Sequence, residues 1–209
     1  NALRKKYHDL DNPTKGIVFT VLEGPLQALN IVYPHTELET TEDADIYSYL
    51  YGQRGLGRVM NYDQKTKSEF RYKDKTLQDF GRIFAPEQIG KYSGKIAYIC
   101  ESIRKSKGIV FIYSQYIGGG AIPIALALEE MGFTRYGTST SLFSTPPTPP
   151  IDAITLKPPK KGDKFHRATY TMITGDKSLT IDVRAELAAA TGDKNINGER
   201  VKVIIVSRA

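Results

Sequence analysis

The chain has 209 residues, 40% of them hydrophobic and 25% charged, which is enough to bury one good core and excludes disorder over the whole length. A formal charge of +6 suits a polyanionic partner, although an excess of this size is also common in proteins that bind no nucleic acid. The single cysteine, Cys100, excludes an internal disulfide framework, and His8, His35 and His166 are too dispersed for a zinc-site spacing, so a reducing compartment is expected.

Residues 1 to 14 are polar and end in the turn signal Asp11-Asn12-Pro13-Thr14, a lead-in. Two strand-like runs follow, Gly16 to Leu22 and Leu26 to Tyr33, separated by Glu23-Gly24-Pro25, and a hairpin is expected. The alternative is a short helix from Pro25 to Asn30, because Leu26, Gln27, Ala28 and Leu29 favour helix. Thr40-Thr41-Glu42-Asp43 could cap a short helix through Tyr51. Tyr51 to Tyr62 is punctuated by glycine and carries Arg54 and Arg58.

Lys65 to Arg82 is the most charged stretch, with Phe70, Tyr72 and Phe80 set among Lys65, Lys67, Arg71, Lys73, Lys75 and Arg82. Such interleaving can follow a nucleic-acid backbone and stack on bases. The favoured reading is the blander one, a solvated surface extension with a few anchoring aromatics. Residues 1–90 are thus expected to form a connecting region, with the hairpin and this basic, aromatic-rich extension.

From residue 91 an α/β domain is expected, running to residue 209. Ser93 should cap a helix whose Ile96, Ile99, Cys100 and Ile103 form one apolar stripe, with Arg104, Lys105 and Lys107 at the end where the dipole favours cations. Cys100 on that stripe reads as a small core residue, not a nucleophile. Gly108 to Tyr113 reads as a strand buried on both faces, followed by the turn at Gly118 to Gly120 and a helix from Ile122 to Met131 that Gly132 ends. Strand, glycine turn and helix would present unpaired N–H groups to an anion.

Phe133 to Tyr136 reads as a short strand. Residues 138–165 carry Pro146, Pro147, Pro149, Pro150, Pro158 and Pro159 and are expected to be a surface insertion or flexible loop. Ala168 to Ile173 should be a strand, Thr180 to Ala190 a helix with Thr180 as cap and Ile181, Arg184, Leu187 and Ala188 on successive turns, and Val201 to Val206 the last buried strand. The order β, α, insertion, β, α, β implies a parallel sheet with right-handed crossovers. The chain starts without Met and stops at the end of that strand, as an excised piece of a longer protein would.

No run approaches the ~18 apolar residues of a membrane span, and NALRKKYHDL lacks the apolar centre of a signal peptide, so an intracellular protein with no membrane partner is expected. GxxxxGK[ST], HExxH and GxSxG are absent, and no catalytic constellation or metal site is expected. Asp176 after Gly175 reads as a turn former or cap more readily than as a base.

GIVFIYSQY, the glycine turn, LALEEMGF, ITGDK with Arg184 downstream, and ERVKVIIVSRA together resemble the second RecA-like domain of a superfamily-two helicase. The wording is most similar to helicase-type ATPases of nucleocytoplasmic large DNA viruses, the relatives of the poxvirus early transcription factor ATPase subunit. The resemblance implies a RecA-like parallel sheet with flanking helices, incomplete at its C-terminus and preceded by a smaller mixed extension. It also implies nucleic-acid-binding roles for Ser114, Gln115 and Tyr116 at the end of motif IV, for Thr174, Gly175, Asp176 and Arg184 in the element that follows, and for Ser207 where motif V begins. Gly118 and Gly119 of the turn join that set. ATP and Mg2+ would serve the parent protein, whose first RecA-like domain is the implied partner together with DNA or RNA and the viral transcription machinery. The piece itself is expected to hold no tight cofactor and to be inactive alone, in a host cytoplasmic factory or a virion. The competing reading is a non-catalytic RecA-like module that binds a protein through its proline-rich loop.

Overall fold

A computed structural model of the chain describes residues 15–36, 44–137, 141–162, 164–180 and 182–207; the lead-in at 1–14 and the Thr40 to Asp43 cap lie outside the described residues. The fold is α/β, with a four-stranded parallel sheet flanked by helices and a small antiparallel sheet, consistent with a RecA-like architecture.

The expected amino-terminal hairpin is instead one helix, α1 (Lys15–Ala28), with Pro25 inside it. Short apolar runs do not by themselves distinguish strand from helix. Here the helix-favouring Leu26, Gln27 and Ala28 continue the element past Pro25, whose missing N–H forgoes one helical bond. After α1 the chain extends into the core at Ile31 and Tyr33, tied by the Val32 N–H to the Tyr92 carbonyl at 3.0 Å and the Tyr33 N–H to the Leu50 carbonyl at 2.7 Å.

A 3-10 helix at Ala44–Tyr49 leads to α2 (Gly52–Val59), then to the antiparallel strands β1 (Met60–Asp63) and β2 (Ser68–Tyr72) and to α3 (Asp74–Phe80). The β1–β2 turn is held by the Asp63 carboxylate, which accepts the N–H groups of Lys65 and Thr66 at 2.7 and 2.9 Å. Next, α4 (Gly94–Lys105) begins as expected: Ser93 Oγ accepts the Ile96 N–H at 2.9 Å and itself donates to the Asn30 carbonyl. Ile96, Cys100 and Ile103 are buried, and burial pushes the Cys100 thiol up to about 11, as befits a core residue.

The main sheet is ordered β3 (Val110–Ser114), β6 (Val203–Ser207), β5 (Thr169–Ile173), β4 (Thr134–Arg135), and every neighbouring pair is parallel. Successive side chains alternate between two faces. One face carries Ile112, Val203, Ile205, Tyr170 and Met172 into the main core with α4 and the wholly buried α5 (Ile122–Glu130). That core runs unbroken from Ile31 to Ile205, so residues on both sides of position 90 share it. On the other face, Ala189 and Ala190 of α6 (Val183–Thr191) cover Ile204, Ile173 and Val206.

Burial of β3 on both faces is not found. Phe111 and Tyr113 are 65% and 61% exposed, because β3 is the edge strand and α6 covers only its neighbours. α6 also starts later than expected: Asp182 is its cap, accepting the Ala185 N–H at 3.0 Å. Thr180 Oγ1 is engaged elsewhere, accepting the Thr174 N–H at 2.7 Å and bonding the Met172 carbonyl at 3.0 Å. Glu186, Ala189 and Ala190 face inward while Arg184 and Leu187 are exposed, so the buried stripe is rotated from the expected one; Ile181 lies outside the described residues.

The proline-rich insertion is packed, not a free loop. Leu142, Phe143, Ile151 and Ala153 are buried, and Phe143 pairs with Phe70 of β2. Missing proline N–H groups cost little outside helix and sheet interiors, so the apolar anchors between them decide the conformation. Asp152 organises the far end: its carboxylate accepts the N–H groups of Ile154 and Thr155 at 3.0 and 2.8 Å and of His166 at 2.8 Å. Burial works against its ionisation, but these three donors outweigh burial and hold the carboxyl below its ordinary value. A carboxyl held low contributes stability above its unfolded value and loses it as the pH falls through the folded one. We therefore expect Asp152→Asn to lower stability by about 1–3 kcal/mol at neutral pH. The gap to wild type should shrink as the pH falls below about 4, measured by urea unfolding across that range; a gap independent of pH contradicts this role.

Candidate nucleic-acid interface

Strand register brings part of the expected site together. Ser114 pairs with Ser207 across β3 and β6, and Ile173 pairs with Val206 across β5 and β6, which places Thr174 beside Ser207. The three hydroxyl residues thus form a row along the C-terminal edge of three adjacent strands, the edge at which open α/β sheets bind ligands. Ser207 is 5% exposed and its Oγ is buried with no hydrogen-bond partner among the described residues. Ser114 Oγ donates to the Tyr116 carbonyl at 2.9 Å. Gln115 is exposed and Tyr116 half-buried where the chain leaves β3.

Thr174, Gly175 and Asp176 form a self-contained turn. The Asp176 N–H donates to Thr174 Oγ1 at 3.1 Å, and Asp176 Oδ1 accepts from the Ser178 N–H and hydroxyl at 2.9 and 2.7 Å. Asp176 Oδ2 pairs with Lys67 from the β1–β2 turn. Its carboxylate is therefore spent on structure, which agrees with the turn-former reading. Arg184 is exposed near the start of α6, and no hydrogen bond or ion pair among the described residues joins it to the row.

The glycine turn forms a π-helical segment, Ile117–Ala121, closed against the amino-terminal helices. A Cβ on Gly118 would lie 3.3 Å from Gln53 Cβ, and one on Gly119 only 2.5 Å from Gln27 Oε1. On Gly120 it would lie 2.0 Å from Ser114 Oγ. Gly118 and Gly119 therefore face α2 and α1, and of the three glycines it is Gly120 that abuts the row. Close approach leaves no room for a Cβ at Gly120, whereas at Gly119 the movable end of Gln27 would have to shift and at Gly118 the fit is merely tight.

Beside the row lies a cavity of about 240 Å³, lined by Ser114, Gln115, Tyr116, Gly120, Asn30 and Lys95. Lys95 Nζ donates to Asn30 Oδ1 at 2.7 Å, which holds a cation next to the strand end. Neither residue is marked in the sequence as part of a site. Only the packing of the α1 exit against the first turn of α4 brings them there.

The rings of the basic, aromatic stretch are buried or half-buried. Phe70 is fully buried and stacks on Tyr62 with centroids 4.5 Å apart. The Tyr72 hydroxyl donates to Glu130 at 2.7 Å and accepts the Phe84 N–H at 3.2 Å. Phe80 packs against the core. The anchoring-aromatic reading holds: burial rules out base stacking by Phe70, and the half-buried Tyr72 is held by its two hydroxyl bonds.

No protein-family model and no curated protein matches the chain. Among the described residues no helix is long and apolar enough to cross a membrane. If the turn is closed as described, Gly120→Ala should lower stability by about 1–3 kcal/mol through overpacking. Gly57→Ala in α2, where a Cβ meets nothing within 4 Å, should raise it by up to about 1 kcal/mol. Thermal melting of both variants checks the pair, and an unchanged melting temperature for Gly120→Ala contradicts the packing.

Proposed function

We propose that this chain forms one wall of the nucleic-acid groove of an ATP-dependent helicase or translocase whose parent protein acts in viral transcription. The observation that carries the reading is the row Ser114, Ser207 and Thr174 at the C-terminal edge of the sheet, with Lys95 beside it. The half-buried Thr174, the exposed Gln115 amide and the Lys95 cation at such an edge suit backbone phosphates and read no sequence, with Ser114 and Ser207 buried beside them. The resemblance of the surrounding motifs to the second RecA-like domain supplies the rest. ATP and Mg2+ belong to the parent, between this domain and a first one, and hydrolysis needs both, so the chain alone is inactive. DNA or RNA is the ligand, and the compartment follows the virus, a cytoplasmic factory or the virion.

The alternative of a non-catalytic interaction module no longer has a free proline-rich loop to rest on. The exposed Phe111 and Tyr113 of β3 are the feature that favours it. Binding of a fluorescent single-stranded oligonucleotide at two salt concentrations separates the two. The groove predicts affinity that falls with salt, a salt slope smaller by about 1 for Lys95→Ala, and weaker binding for a Gln115→Ala, Thr174→Ala variant. Binding that ignores these substitutions moves the site to the basic hairpin; no binding favours the interaction module.

A further inference from the structure

A second cavity, of about 480 Å³, lies between β2, the insertion, β4 and the start of β5. It sits at the opposite end of β5 from Thr174, and nothing in the groove reading uses it. Arg71, Arg135 and Arg167 line it together with Glu69, Ser144 and Thr134. Arg71 and Arg167 are exposed at the rim, and Arg71 Nε donates to Ser144 Oγ at 2.9 Å. Arg135, on β4, is only 9% exposed, and its Nε and Nη2 are buried with no hydrogen-bond partner among the described residues.

Two buried guanidinium nitrogens without a hydrogen-bond partner are costly, because their N–H groups have given up water without replacement. The nearest countercharge does not relieve this. Glu129 interacts electrostatically with Arg135, but its oxygens already accept the N–H groups of Leu142 and Phe143 at 2.7 and 2.9 Å and the Tyr170 hydroxyl at 2.6 Å. Three arginines against the single Glu69 leave two positive charges on the cavity wall. Planar guanidinium forks are the side chains best matched to phosphate oxygens. The volume exceeds what an inorganic ion needs and lies within the range of small-molecule sites.

We propose that this cavity binds a phosphate monoester dianion, with Arg135 donating from the floor and Arg71 and Arg167 closing from the rim. The monoester could be a free nucleotide or the 5′ end of a strand, and the test separates them. The full chain is titrated by calorimetry at low salt with AMP, with adenosine, and with one oligonucleotide carrying either a 5′-phosphate or a 5′-hydroxyl. The expected results are heat with AMP and none with adenosine, and loss of AMP binding by at least about tenfold in Arg167→Gln and in Arg135→Gln. Arg167 is exposed, so its variant keeps the test valid if Arg135→Gln fails to fold. A 5′-phosphate that strengthens oligonucleotide binding while AMP is silent supports the site and assigns it to strand ends. Silence with AMP together with equal binding of both oligonucleotides overturns the proposal, as does AMP binding unchanged by Arg167→Gln. Because the oligonucleotide comparison reads only the terminal phosphate, its failure leaves the groove reading standing or falling on its own test.

Discussion

The position of β6 between β3 and β5, parallel to both, is the constraint on which the rest of the structure depends. Side chains alternate along a strand, so a slip of one residue would exchange Val203 and Ile205, which face the main core, with Ile204 and Val206 under α6. Burying a residue of this size contributes roughly 1.5–3 kcal/mol, and several would be lost together. The same register sets Ser114, Ser207 and Thr174 side by side. The candidate interface is thus a by-product of how the core is packed, and it cannot drift without unfolding the sheet.

A second organising feature sits at the end of α5. Glu129 and Glu130 are buried where the helix dipole disfavours anions, yet each is surrounded by donors. Glu129 holds Leu142, Phe143 and Tyr170, while Glu130 holds Tyr72 and pairs with Arg82. Thr148 Oγ1 reaches the carbonyls of both glutamates at 3.0 and 3.1 Å. Burial still holds the Glu129 carboxyl above its ordinary value, against those hydrogen bonds and the Arg135 charge. These two carboxylates tie the hairpin, the insertion and β5 into one unit, and Glu129 fixes the backbone of Phe143, which lines the arginine-rich cavity.

How much of this was legible in the sequence depended on how local the deciding interaction is. α4, its Ser93 cap, α5 and the strands β3, β5 and β6 follow from periodicity and capping within one segment. The hairpin β1–β2 did not, because its charged residues mask the alternation that buries Phe70. α1 read as strands because its apolar run fits either period, and the insertion read as flexible because prolines hid the anchors Leu142, Phe143 and Ile151. At the candidate site, the members of the row were marked by the resemblance of their motifs, and each also follows or ends a strand-like run. Gln27 and Gln53 behind the glycines, and Lys95 with Asn30 beside Ser114, come from distant segments and were not.

The central claim is that the C-terminal edge of β3, β6 and β5 meets nucleic acid. Hydrogen–deuterium exchange of the chain with and without a single-stranded oligonucleotide tests it most directly. The account predicts slower exchange at 114–116, 174–176 and 207, with the amides of the β1–β2 hairpin unchanged. Protection confined to that hairpin, or none at any of these positions under conditions where the oligonucleotide is bound, would contradict it.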